Sequence, residues 1–231
     1  ADDTGSFVRN EHYGIEHAYN VRSAWALLTL GRLLGEPAYE KAALANADWT
    51  VAQQTDTSFF RNNIFQPGRN ANTHGIAYVL QGLLEIHRIS GRETYLVAVR
   101  RSADRVVSTY NTEGRVVAKI GENWEPLSSH LCLTGYAQMA IVLFGLHELV
   151  GGKPYLDTGL KLLDDVAATQ DVTSPDKPYF GGIKGSSPIY GRYAPLQYPN
   201  WATKFFIDAL LAKRAALNPS KARSRPQLTA G

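Results

Sequence analysis

A repeat constrains this chain more than anything else in it. Gly35-x-x-x-Tyr39, Gly91-x-x-x-Tyr95 and Gly151-x-x-x-Tyr155 recur, each with an aspartate nine residues beyond the tyrosine, at Asp48, Asp104 and Asp164. The periods, 56 and 60 residues, suit one helical hairpin per unit. Each glycine closes a helix-periodic apolar stretch: LLTLGRLLG, LLEIHRISG or LFGLHELVG. Glycine stops a helix because it adopts left-handed backbone angles without a Cβ clash. A second helical pattern follows each tyrosine. Ala24, Leu27, Leu28, Gly31 and Leu34 share one face of the first unit's leading helix, as do Ile76, Leu80, Leu83, Leu84 and His87 in the second. No comparable stretch alternates with period two, so the chain reads as all-α. The recurring tyrosine and aspartate read as staples of the hairpin, because a residue present in every unit serves the unit's shape.

A fourth leading helix opens at Pro199-Asn200-Trp201 and continues through Phe205, Phe206, Leu210 and Leu211. Its partner is missing. The expected organisation is one α-hairpin domain over residues 1–217, about three and a half hairpins, followed by a disordered basic tail over 218–231 with Lys221, Arg223 and Arg225. Three and a half hairpins leave two apolar flanks, which a second copy or a further N-terminal segment is expected to cover.

Composition narrows the partners. A net charge of +3 over 231 residues, part of it in the tail, argues against nucleic acid. No run of apolar residues approaches the roughly 18 needed for a membrane span. Cys132 is the only cysteine, so no intrachain disulfide forms and the compartment stays open.

The connections between hairpins, residues 55–72, 111–131 and 172–198, are much longer than the glycine turns. They all fall at the end where the leading helices begin, and long loops in a compact fold commonly carry function. Four of the six histidines gather there. His74 and Tyr78 share a helical face, and Arg22, Tyr136 and Gln138 belong to the same end. Trp124, Trp201, Tyr190 and Tyr193 offer flat faces on which a ligand ring can stack, and Asn200, Lys204 and Gln138 offer side-chain hydrogen bonds. Thr73, Thr134 and Asn200 also suit plain helix capping.

Helices joined by short turns on one side and long loops on the other resemble the α/α toroids. That group includes six-hairpin glycosidases, toroidal polysaccharide lyases, lanthionine cyclases and the squalene-cyclase and prenyltransferase family. The resemblance covers residues 16–217 and implies an open or partial toroid. Leu133-Thr134-Gly135-x-x-Gln138, Gly182-x-Lys184-Gly185-Ser186-x-Pro188-Ile189 and Tyr198-Pro199-Asn200-Trp201-Ala202-x-Lys204-Phe205-Phe206 are similar to the C-terminal part of bacterial toroid proteins associated with exopolysaccharide genes. The squalene-cyclase acid motif Asp-x-Asp-Asp is absent, and the two zinc cysteines of lanthionine cyclases cannot both be present. A zinc site of His74, His130 and Cys132 is the metal alternative; otherwise no metal and no cofactor is implied.

The resemblance implies a carbohydrate-active protein for an acidic oligosaccharide or polysaccharide. Uronate elimination or epimerisation would use His74 and Tyr78, Arg22 to neutralise the carboxylate and Tyr136 across the funnel. Glycoside hydrolysis would use Glu122 or Glu125 opposed by Glu11 or Glu16. A non-catalytic glycan-binding or assembly subunit is the third reading.

Overall fold

The computed structural model describes residues 2–7 and 12–218. Glu11 and most of the expected basic tail, with Lys221, Arg223 and Arg225, lie outside the described residues. Seven helices follow in order: α1 (Val21–Leu34), α2 (Pro37–Ala52), α3 (Thr73–Ser90), α4 (Glu93–Glu113), α5 (Leu133–Val150), α6 (Lys153–Ala167) and α7 (Asn200–Leu217). The leading helices touch in series, α1 on α3, α3 on α5 and α5 on α7, and α2, α4 and α6 pack behind their own partners. The result is an inner row of four helices backed by an outer row of three.

Local chemistry sets the ends of each hairpin. Gly35 and Gly91 close α1 and α3 in left-handed conformation, at φ 65° and 70°. Proline at the first turn opens α2 and α6, where its missing N–H costs no helical bond. His87 and His147, four residues before their glycines, each bond a turn carbonyl through Nδ1: Arg92 O at 3.1 Å and Gly152 O at 3.2 Å. These two histidines hold turns.

Between the hairpins the repeat becomes a chain of contacts. Tyr95 donates to Asp48 and Tyr155 to Asp104, both at 2.6 Å, so each tyrosine grips the outer helix of the preceding unit. At the two ends the series is incomplete. Tyr39 is 40% exposed, and Asp164 meets Lys213 of α7 at 3.6 Å. Asn46, about 200° around α2 from Asp48, donates to Gly5 O; residues 2–7 therefore lie against the side of α2 turned away from α4.

Most of α3 and α5 is buried. Helix α5 has the length and mean hydropathy, 1.3, of a membrane span, but 72% of it is buried in the protein. It is the central core helix, with α3, α6 and α7 against it. Leu33 and Leu34 on α1 and Ile207, Leu210 and Leu211 on α7 are exposed.

Two short antiparallel pairs were not foreseen from the sequence. β1 (Ala71–Asn72) pairs with β2 (Lys119–Ile120), and β3 (Leu131–Cys132) pairs with β4 (Ser186–Ser187). Each clips one long connection to the next immediately ahead of an inner helix, fixing where α3 and α5 begin.

Candidate functional site

His74 is the second residue of α3, positioned by the β1–β2 clip and by the close approach of α5. A Cβ on Gly135 would lie 2.7 Å from Thr73 Oγ1 and 2.8 Å from His74 N. Only glycine lets the two helix starts meet this tightly, and the approach brings His74 Nδ1 to Gln138 Oε1. With that oxygen accepting, Nδ1 carries the proton and Nε2 keeps its lone pair. His74 is 7% exposed. Burial pushes its pKa down to about 4, against the raising effect of the Gln138 bond and with a smaller lowering effect of Arg22. The imidazole is therefore neutral at physiological pH.

Aromatic rings surround it. Tyr78 lies 4.3 Å from His74 between ring centroids, Tyr193 at 5.6 Å, Phe65 at 5.7 Å and Phe205 at 6.3 Å. Trp201 Nε1 donates to Tyr193 Oη at 3.0 Å. Burial raises the pKa of Tyr78, opposed by Arg22, and raises that of Tyr193. Both phenols stay protonated.

Arg22, in the first turn of α1, lies 4.6 Å over the Tyr78 ring and 5.1 Å over Phe205, and donates to Gln81. No carboxylate among the described residues lies within ion-pair distance of it. A partly buried guanidinium held by ring faces and an amide leaves room for an anion. Gln138 Nε2 is likewise buried without a partner, a donor that an oxygen-rich ligand would satisfy. Below Gln81 a cavity of about 220 Å³ runs between the inner helices, lined by Trp25, Glu85, Arg88, Glu148 and Asp208.

His74, Tyr78, Arg22, Gln138, Tyr193 and Trp201 thus come together from four inner helices and a long loop. Lys204 adjoins them, with Nζ 4.3 Å from the Phe205 ring and 2.5 Å from Asp208. Asn200 is exposed at the start of α7. Three expected members are elsewhere. Tyr136 is 1% exposed and accepts Val116 N–H at 2.8 Å in the wall toward α4 and α6. Residues 136 and 138 are about 200° apart on one helix and cannot both face the inner row. Trp124 packs edge-on against Phe59, donates to Thr57 O at 2.9 Å and lines a different cleft. Tyr190 is 72% exposed.

Of the hydrolytic acids, the three among the described residues do not converge either. Glu122 pairs with Arg61 at 2.9 Å, Glu125 accepts from Asn123 N at 2.9 Å, and Glu16 borders a surface hollow with Asn62 and Pro67. The geometry does not support the zinc alternative among the described residues. Cys132 Sγ caps α5 by accepting Gly135 N–H at 3.4 Å, and burial pushes the thiol up to about 12, whereas zinc binds thiolate. Among the described residues no three His, Cys, Asp or Glu are grouped to hold a metal ion. Phe65, Gln81 and Phe205 were missed as site residues; Phe205 had read as helix core, and nothing in the loop sequence around Phe65 marks it.

No family model and no curated protein matches the sequence. Solved structures do. A polysaccharide lyase superposes at TM-score 0.60 with 15% identity, covering 91% of this chain and 63% of its own. An unsaturated glucuronyl hydrolase specific for heparin gives 0.67 and 16%, covering 88% and 60%. The fold is that of an α/α toroid. A D-mannose isomerase matches at 0.60 and 15%, covering 93% of this chain and 64% of its own. The chain spans about three fifths of the length of these structures. Identities this low establish the architecture and leave the chemistry to the site.

Proposed function

We propose that this toroid acts on an acidic oligosaccharide or polysaccharide by removing the proton beside a uronate carboxylate. The observation that carries the reading is a neutral His74, held through Nδ1 by Gln138, beside a guanidinium that no carboxylate among the described residues meets within ion-pair distance, Asp208 and Glu85 acting on it from farther off. In elimination, His74 Nε2 takes the proton from the carbon next to the carboxylate, and Arg22 offsets the charge that develops on the acid. The released electron pair forms the carbon–carbon double bond as the bond to the leaving oxygen breaks. Tyr193 or Tyr78 supplies that oxygen's proton and recovers it from water. In epimerisation the same carbon is reprotonated from its other face. Tyr193 replaces Tyr136 as the partner of His74 in this scheme.

Elimination is preferred to hydrolysis because no acid pair among the described residues stands beside His74. Trp201 and Lys204 border the cluster and suit ring stacking and hydrogen bonding. An exopolysaccharide as the natural polymer belongs to the proposal and rests on the sequence phrases alone. The exposed leucines of α1 and α7 support a further proposal, that a second copy covers the flanks; light scattering showing a monomer at high concentration would remove it.

The deciding experiment is incubation of the purified protein with a panel of uronate and neutral polysaccharides. Ultraviolet absorbance from a new double bond conjugated to a carboxylate is the expected result with an acidic member. New reducing ends without that absorbance would replace elimination by hydrolysis. Binding without any product would replace catalysis by a glycan-binding role.

A further inference from the structure

A second cleft in this molecule lies away from His74. It holds about 470 Å³ between α4 and the connection that carries β2. On α4, Arg105, Ser108, Thr109 and Thr112 stand at i, i+3, i+4 and i+7 and form one continuous stripe. A solvated helix face would look the same, were it not for the wall opposite. There Arg115 and Ser129 face the stripe, and Trp124 lies at the base.

Two features show that this wall is built rather than incidental. Trp124 adopts φ 66°, a left-handed conformation that non-glycine residues seldom hold. The loop is nevertheless fixed: Thr57 donates to Glu122 O at 2.6 Å, Arg61 pairs with the Glu122 carboxylate, and the indole N–H is tied to Thr57 O. Neither the Arg105 nor the Arg115 guanidinium has a hydrogen-bond or ion-pair partner among the described residues. Of the two acids at the rim, Glu125 is held by the loop through Asn123 N, and Glu113 stands at the end of α4.

We infer that this cleft is a second saccharide-binding site, taking an acidic sugar through Arg105 and Arg115, with the α4 hydroxyls bonding its hydroxyls and the Trp124 edge beneath its ring. Arginine suits the task because its planar fork pairs with carboxylates in a fixed geometry. The site connects to the His74 cluster through one ribbon. Ile120 in the cleft wall pairs with Ala71, and Thr73 N–H donates to Ala118 O at 3.0 Å, one residue before His74. The two sites therefore share the β1–β2 segment. The inference rests on the acidic-polymer reading of the His74 site and adds a holding site for the same polymer.

The test measures calorimetric binding of tetragalacturonate and tetraglucuronate to the His74→Ala protein, with Arg105→Ala/Arg115→Ala and Glu113→Gln added separately. Removing both arginines is expected to weaken binding at least tenfold while the melting temperature stays within a few degrees. Glu113→Gln is expected to tighten it, a gain that damage to the fold cannot imitate. Undiminished binding by the double-arginine protein overturns the inference, as does failure of the parent to bind either acid. The two readings fail separately. Turnover of short uronates that is indifferent to Arg105 and Arg115, with unchanged binding, leaves the reaction standing without the cleft; binding lost with the arginines, in a protein that never yields product, leaves the cleft without the reaction.

Discussion

The hydroxyl of Tyr155 lies 2.6 Å from an Asp104 carboxylate oxygen, across 51 residues and between two outer helices. Tyr95 and Asp48 repeat the bond one hairpin earlier. The shared motif thus joins units rather than closing each unit on itself. We expect Tyr95→Phe and Tyr155→Phe each to lower stability by about 1 kcal/mol, the worth of a typical hydrogen bond with its acceptor left open to solvent. Because the sites are far apart, their effects should add. Urea unfolding of the two single variants and the double variant measures this; unchanged midpoints would reduce the motif to decoration.

Tyr136→Phe removes the acceptor of the buried Val116 N–H. An orphaned buried donor costs about 1–3 kcal/mol, so the variant should melt earlier and keep its turnover. Tyr193→Phe should do the reverse, lowering turnover by about 10²–10⁴-fold if it is the proton donor. Equal kinetic damage from both would return Tyr136 to the reaction.

Gly135→Ala places a methyl group 2.7 Å from Thr73 Oγ1 and 2.8 Å from the His74 backbone nitrogen. Backbone cannot step aside as a flexible side chain can. A loss of about 1–3 kcal/mol is expected from overpacking, together with loss of the His74–Gln138 bond. Nuclear magnetic resonance of the imidazole reports that bond; an unaltered His74 signal in the alanine variant would show that the helix starts have slack.

The pH behaviour of His74 has a definite sign. Its folded-state pKa, about 4, lies below the ordinary value of 6.5. Between those values the unfolded chain takes up a proton that the folded chain refuses. Its contribution is therefore unpenalised above pH 6.5, and stability is lost as pH falls from 6.5 toward 4. The acidic limb of kcat/KM should accordingly sit near pH 4, where the free enzyme's base protonates. Stability profiles of wild type and His74→Gln should converge above pH 6.5 in slope and diverge below it. A limb near 6.5, or parallel profiles throughout, would mean that His74 is not a buried neutral base.

Periodicity was enough to read the helices, the glycine turns and the end of the hairpins that carries polar residues. Those features are local: a glycine at a helix C-terminus and an apolar stripe are decided by backbone sterics and burial within one element. The sequence likewise singled out His74, Tyr78 and Arg22, because polar and aromatic residues at two helix starts are legible without knowing how the helices meet. What those helices face was decided only in three dimensions. Tyr136 and Gln138 lie two residues apart yet on opposite sides of α5, Trp124 was drawn into another cleft by Thr57 and Phe59, and the β1–β2 clip pairs residues nearly fifty positions apart. Such contacts depend on inter-helix distance and on which neighbour satisfies each buried polar group, and those quantities exist only once the hairpins have packed.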